Sequence, residues 1–191
     1  CRKSQRIGQS MELFARISQG REVEVETKKC SAKQLYKLFW ESLSDHNYMV
    51  PAHEHKTFSI DKVGFNQFAD RIVLADQNLL NQVADATISN AFKYASVRST
   101  IEVMPWLEDD SELFEVRVLS TGIRLEESEI EKCIRPGWRA DAAIDVDQDG
   151  SGLGLWLCTK LMEFQDGTLI VEPSDEDDQT VVKICLPLAF K

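Results

Sequence analysis

Asp149-Gly150-Ser151-Gly152-Leu153-Gly154-Leu155 alternates three glycines with Ser151 and Leu153 and then runs into an apolar series: Trp156, Leu157, Cys158, Leu161 and Met162. The series has helical spacing and predicts a helix opening at about Leu153. A glycine-rich loop feeding a helix N-terminus makes an anion site. Its backbone N–H groups face outward, and the helix dipole adds partial positive charge. Glycine also removes the Cβ that would hold a phosphate off the backbone. No Gly-Lys-Ser/Thr follows, so this is not the phosphate loop of nucleoside triphosphatases. No strand runs directly into it, which argues against a dinucleotide fold. The segment before it, residues 135–149, predicts a long polar loop of the kind that forms lids or disordered segments.

A second stretch, Asp76 to Ala95, predicts a helix with Leu80, Ala84, Ile88, Ala91 and Ala95 on its apolar face. Another face carries Ala86, Asn90, Lys93 and Tyr94, so Asn90 and Lys93 project together. An amide oxygen can coordinate Mg²⁺ while a neighbouring ammonium neutralises phosphate. An exposed polar helix face is the plain alternative.

The chain of 191 residues, 43% hydrophobic, is long enough to bury a proper core as one domain with a short appendage. A net charge of −10 argues against a general nucleic-acid binder. No apolar run approaches the roughly 20 residues of a membrane span. The first residue is Cys1 rather than Met, as in a fragment, and no signal peptide is visible. Five cysteines without a CxxC pair read as free thiols in a reducing, cytoplasmic setting, with Cys158 and Cys185 in the core.

In chain order, residues 1–20 predict the tail of a helix striped by Met11, Leu13, Phe14 and Ile17 and capped by Gly20. Residues 22–28 predict an edge strand. Ser31 caps a helix reaching about Leu43, with Leu35, Leu38, Phe39 and Trp40 buried. The loop from Asp45 to Lys56 then holds His46, His53 and His55. His-x-His can bind metal, but no third ligand has suitable spacing, so a solvated loop is the expectation. Strands are predicted at 57–60, 71–74, 99–104, 113–119, 168–172 and 180–186, and a helix at 126–134. Acidic turns fall at 108–112 and 175–178.

The order of these blocks resembles the catalytic and ATP-binding domain of sensor histidine kinases, in the superfamily shared with gyrase, the Hsp90 chaperones and the MutL mismatch-repair proteins. Gln82-Val83 and Ile88-Ser89-Asn90-Ala91-Phe92-Lys93-Tyr94-Ala95 resemble its asparagine box. Val118 to Leu125, then Glu131 to Arg139, resemble its first glycine box and the start of its lid. Gly150 to Leu155, with residues 163–172 behind them, resemble the second glycine box and the following strand. Arg16 to Gly20 resemble the end of the dimerising helical hairpin that precedes this domain.

The resemblance implies an α/β (α+β) two-layer sandwich: a mixed, mostly antiparallel sheet covered on one face by about three helices, with an ATP lid between the glycine boxes. It divides the chain into residues 1–20, the end of the hairpin, and residues 21–191, the catalytic domain. It implies ATP and Mg²⁺ as ligands. Asn90 would ligate the metal, Lys93 would touch phosphate and Tyr94 would line the site. Ser120, Gly122, Gly150, Gly152, Leu153, Gly154 and Leu155 would complete the nucleotide site. It also implies transfer of the γ-phosphoryl group to a histidine upstream of this chain and then to an aspartate of a response regulator, within a homodimer.

Three positions depart from the family's pattern. Ser120 stands where an aspartate meets the adenine amino group, Ala86 where a first asparagine is usual, and Arg124 where a glycine is usual. These departures open a second expectation, a degenerate, non-catalytic signalling or dimerisation module of the same fold. A third is a calcium loop, because Asp145, Asp147, Asp149 and Gly150 mimic the start of an EF-hand; Trp156, however, occupies the position of the bidentate glutamate.

Overall fold

Ser31 begins the first long helix by accepting the backbone N–H of Gln34 on its hydroxyl oxygen, while the Gln34 side chain accepts the Ser31 N–H at 2.8 Å. This reciprocal cap satisfies two otherwise orphaned donors. The computed structural model in which it is seen describes residues 12–21, 23–123, 125–148, 150–173 and 179–189. Arg124, Asp149, Glu22, the stripe residue Met11 and the acidic turn 175–178 lie outside the described residues. Helix α1 is described over residues 12–18, and Gly20 follows it at φ 63°, the cap conformation expected there.

Helix α2 (Ala32–Met49) runs past Leu43, because Leu35, Leu38, Phe39, Leu43 and His46 form one continuous buried stripe. His46 is therefore a buried helical residue and not part of a loop. Trp40, expected in the core, is 45% exposed, one helical step beyond the stripe.

Helix α4 (Gln77–Tyr94) lies between α2 and α7 (Gly154–Glu163). Its predicted apolar face is buried throughout. Lys56 donates to the carbonyl of Phe92 at 2.9 Å and pairs with Glu54 at 2.6 Å, which places a cation on the negative end of α4.

The helices cover one face of a five-stranded sheet, in the order β2 (Thr57–Ile60), β4 (Thr100–Trp106), β5 (Leu113–Thr121), β7 (Gln179–Pro187), β6 (Thr168–Pro173). Only the β2–β4 pair is parallel among these strands, so the sheet is mixed and mostly antiparallel, as expected. Alternate residues Ile101, Val103, Phe114, Val116 and Val118 are buried towards the helices, which is the period-two signature of a sheet wet on its other face.

Residues 23–27 do not form the edge strand expected over 22–28. The Glu26 N–H goes to the Asp76 carboxylate at 2.7 Å, and Val23 and Val25 pack on the core. Pairing begins only with β1 (Lys28–Ser31), antiparallel to β3 (Ile72–Ala75). This small second sheet is joined to the segment after β7 by a bridge between Val73 and Leu188. Two short helices were not anticipated: α3 (Lys62–Gln67), capped by Asp61, and α6 (Asp141–Val146), inside the segment read as loop. The expected helix over 126–134 is α5 (Glu127–Cys133). Among the described residues, no helix is long and apolar enough to cross a membrane.

Candidate functional site

A cavity of about 230 Å³ opens between α4, the inner face of β5 and β7, and the segment from α5 to α7. Its α4 wall is Thr87, Asn90, Ala91, Lys93 and Tyr94, which confirms that Asn90 and Lys93 project together. Its floor is apolar, with Val118, Val171 and Val182 from three adjacent strands. Set into that floor are two hydroxyl residues, Ser120 and Thr180, which face each other across the β5–β7 register. A flat apolar slot with a few polar groups at its edge suits a heterocyclic base.

The glycine loop closes the other side. Gly150, Gly152, Gly154 and Leu155 line the cavity; Leu153 instead forms the N-cap of α7, with no side chain capping that helix. Gly150 and Gly152 each meet a neighbour that a side chain would strike, and Gly154 lies within ordinary contact distance of Asn90. A Cβ on Gly152, which sits at φ +67°, would lie 2.7 Å from the Gly137 carbonyl carbon and 2.8 Å from the Trp138 oxygen. A Cβ on Gly150 would lie 2.9 Å from the Arg139 guanidinium, and one on Gly154 3.5 Å from the Asn90 amide nitrogen. The loop is thereby laid directly against the Asn90 side chain. Gly122 is not in the cavity wall. It is the point where β5 touches the end of α4, through a bridge to Ala95 and the Ile123 N–H donating to the Tyr94 carbonyl at 3.2 Å.

Between Gly137 and Gly152 the chain forms a lid whose two ends are fastened, the Gly137 N–H donating to the Gly152 carbonyl at 3.0 Å. Inside it the Arg139 guanidinium donates to the carbonyl of Ala143 at 2.9 Å and to that of Asp147, while its Nε–H is buried with no acceptor among the described residues. The Asp147 carboxylate pairs with Lys93, whose ammonium also stands 5.1 Å from the centre of the Tyr94 ring. Trp138, Arg139, Ala140 and Ala143 supply the lid's share of the cavity wall. Cys133, at the end of α5, is pushed up to about 11 by burial and donates its thiol to the Ile130 carbonyl at 3.0 Å. It is an inert wall residue at neutral pH.

The histidines do not gather. His46 sits under α4 with Nε2 3.3 Å from the Asp85 carbonyl oxygen and 3.4 Å from its carboxylate. Among the described residues no cluster of three or more His, Cys, Asp or Glu could hold a metal ion. The calcium-loop expectation meets two obstacles: Asp145 is inside helix α6, and the Asp147 carboxylate is engaged by Lys93.

A family model described as histidine kinase-, DNA gyrase B- and HSP90-like ATPase matches residues 75–189, which span the cavity walls and the lid. The chain belongs to this ATPase family. Among curated relatives, the circadian input-output histidine kinase CikA of Synechococcus elongatus is 33% identical over 98 residues, covering 51% of this chain and 13% of that protein. The autoinducer 2 sensor kinase/phosphatase LuxQ of Vibrio parahaemolyticus is 28% identical over 146 residues, covering 74% of this chain and 17% of its own. The chain therefore spans a small part of the length of the curated relatives it matches. Solved histidine-kinase structures share the fold. A mycobacterial sensor histidine kinase, MprB, superposes with a TM-score of 0.65 at 17% identity over 88% of this chain and all of its own. Full-length ShkA in complex with AMPPNP superposes at 0.68 with 18% identity over 95% of this chain and 35% of its own. The histidine-kinase-like ATPase family thus accounts for the sheet order, the covering helices and the lid between the two glycine segments.

The wall residues missed in the sequence are those contributed by strand register and by the lid. Thr180 and Val182 had a signal, since they alternate on the inner face of a strand opposite Ser120 and Val118. Arg139 and Trp138 had none beyond their place at the lid's start.

Proposed function

We propose that this chain is the ATP-binding catalytic region of a two-component sensor histidine kinase, donating the γ-phosphoryl group of ATP to a histidine on an upstream helical hairpin for relay to a response-regulator aspartate. In this reading residues 1–20 end the hairpin, residues 21–191 form the catalytic domain, and the whole protein is a homodimer. The observation that carries it is the glycine loop laid against Asn90, in one cavity with Lys93 and an apolar slot. The Asn90 amide faces Gly154, where a Cβ would lie 3.5 Å from its nitrogen and 3.9 Å from its oxygen, and in this reading that oxygen holds Mg²⁺. That ion, when bound, supplies positive charge against the phosphates. Lys93 adds a second positive charge, Tyr94 and Leu155 flank the nucleotide, and the floor holds adenine with Ser120 nearest its amino group. Holding the γ-phosphate rigidly is most of what such a site contributes, since the transfer depends on positioning and charge.

A second reading, a non-catalytic signalling or dimerisation module of the same fold, is favoured by Ser120 and Ala86. Ser120 offers a neutral hydroxyl beside Thr180 where a carboxylate would be a stronger acceptor. Ala86 is half-buried against the core and offers no amide.

Calorimetric titration of ATP and GTP, with and without Mg²⁺, separates the readings. The wild type is expected to bind ATP in a strongly Mg²⁺-dependent way, and Asn90→Ala to lose most of that dependence. Ser120→Asp is expected to tighten ATP binding by about five- to thirtyfold and to sharpen the preference over GTP. Equal affinity with and without metal removes the role given to Asn90. Absence of binding by both wild type and Ser120→Asp selects the non-catalytic module.

A further inference from the structure

Asp147 is the point at which the lid is tied to the body of the protein. It ends α6 as its C-cap, with its N–H donated to the Ala143 carbonyl at 3.2 Å. Its own carbonyl accepts from the Arg139 guanidinium and, at 3.4 Å, from the Gly150 N–H. Its carboxylate crosses to α4 and pairs with the Lys93 ammonium. The carboxylate side is the more sheltered, with 14% of the Asp147 side chain exposed against 31% of Lys93. One residue therefore links the lid's stem, the glycine loop and the cation assigned to phosphate.

The size of the cavity gives this link a consequence. Under the lid in this position it holds about 230 Å³, below the roughly 300–1,000 Å³ of sites that enclose drug-sized ligands. A base and part of a sugar fill that space, so a polyphosphate chain must extend along its open side, where the Lys93 side chain is 31% exposed. An anion that reaches Lys93 competes with the Asp147 carboxylate for the same ammonium.

We propose that Asp147 is an internal competitor for Lys93: its carboxylate occupies the phosphate-binding ammonium in the ligand-free protein, holds the lid down, and is displaced by the polyphosphate of the incoming nucleotide. The proposal rests on the nucleotide reading of the site and adds its regulation. Exchange of one anion for another at the same ammonium costs little when the newcomer carries several charges and a bound cation, and much more when it carries one. The pair thus raises the threshold for all ligands and disfavours those with a single phosphate. Other charges near the lid are the Arg139 guanidinium, which donates to the Ala143 and Asp147 carbonyls, and the outward-facing Asp141 and Asp145.

The test uses Asp147→Asn, which keeps the shape of the C-cap and removes the charge, and Lys93→Met, which removes the partner. Hydrogen exchange of the backbone amides over 141–148 is measured on ligand-free protein, and ATP affinity with Mg²⁺ by calorimetry. Both variants are expected to speed lid exchange relative to the wild type. Asp147→Asn is expected to tighten ATP binding by about three- to tenfold, the range of a partly exposed ion pair. In the Lys93→Met background the same change should give no further gain. Unchanged lid exchange in both variants overturns the proposal whatever the nucleotide does. Unchanged or weaker ATP affinity in Asp147→Asn, in a protein that binds ATP, overturns it too. If wild type and Asp147→Asn both bind no nucleotide but the lid exchanges faster, the lock stands and the nucleotide reading of the site fails.

Discussion

Asp76 shows how much one side chain can organise before any ligand is considered. Its carboxylate accepts the N–H groups of Asn78 and Leu79 at the start of α4, at 2.8 and 3.1 Å, and that of Glu26 at 2.7 Å. Its own N–H donates to the Gln165 side chain at 3.0 Å, which ties α4 to the end of α7. Burial alone would raise its pKa. The three N–H donors, with Lys28 nearby, outweigh that and hold the carboxyl below its ordinary value. The sign follows: the folded protein keeps Asp76 ionised where the unfolded chain, titrating near about pH 3.9, already takes up a proton. The stabilisation is complete above that value and is lost as the pH falls through the lower folded one. Asp76→Ala is expected to cost about 1–2 kcal/mol at neutral pH from the helix cap alone. Urea unfolding at neutral pH and near about pH 2 checks it. The gap between wild type and variant should narrow in acid, and a gap of the same size at both ends would mean that the charge does not carry the effect.

Elements meet most closely where β5 crosses the end of α4. A Cβ on Gly122 would stand 2.1 Å from the Tyr94 carbonyl oxygen and 2.8 Å from the Ala95 Cα, and both are backbone atoms that cannot swing aside. Gly122→Ala must therefore push α4 from the sheet and carry Lys93 and Tyr94 with it. The expected cost is about 3 kcal/mol, at the upper end for overpacking, seen as a lower urea midpoint. A loss below about 0.5 kcal/mol, the size of an ordinary surface change, would show that the two backbones are not in contact. Gly122, expected at the nucleotide site from the family pattern, stands at this close approach and not in the cavity wall. The same contrast runs through the other elements. Helix α4 was readable because its apolar residues repeat at helical spacing over five turns' worth of contacts on one face, and β4 and β5 because theirs alternate. Helices α3 and α6 were not, because six residues each, KVGFNQ and DAAIDV, are too short to show a period. The edge strand expected over 22–28 failed because alternation cannot tell a paired backbone from one whose N–H is taken by Asp76.

At the scale of the whole molecule, the site joins pieces of chain from Thr87 on α4 to Val182 on β7. The pairing of Asn90 with Lys93 was visible in the sequence because it depends on positions three apart on one helix. The Lys93–Asp147 pair and the Arg139 ties were not, because they depend on how a sixteen-residue lid, 137–152, closes over that helix. Such a site exists only in the folded protein, since no local segment holds both the Asn90–Lys93 face and the strand floor. A nucleotide that binds here stabilises the native state alone, by about 2.7 kcal/mol at a hundredfold excess over Kd. For a chain of 191 residues, each kcal/mol raises Tm by about 2–4 °C. ATP with Mg²⁺ at that excess is therefore expected to raise Tm by about 5–11 °C. Each further tenfold in nucleotide adds about 1.4 kcal/mol, so the rise should continue with the logarithm of concentration instead of levelling off. Differential scanning at several nucleotide concentrations reads both. A Tm that does not move under nucleotide concentrations shown by calorimetry to saturate the protein would mean that the ligand binds unfolded and folded chains alike, which a cavity assembled from α4, the sheet and the lid cannot do.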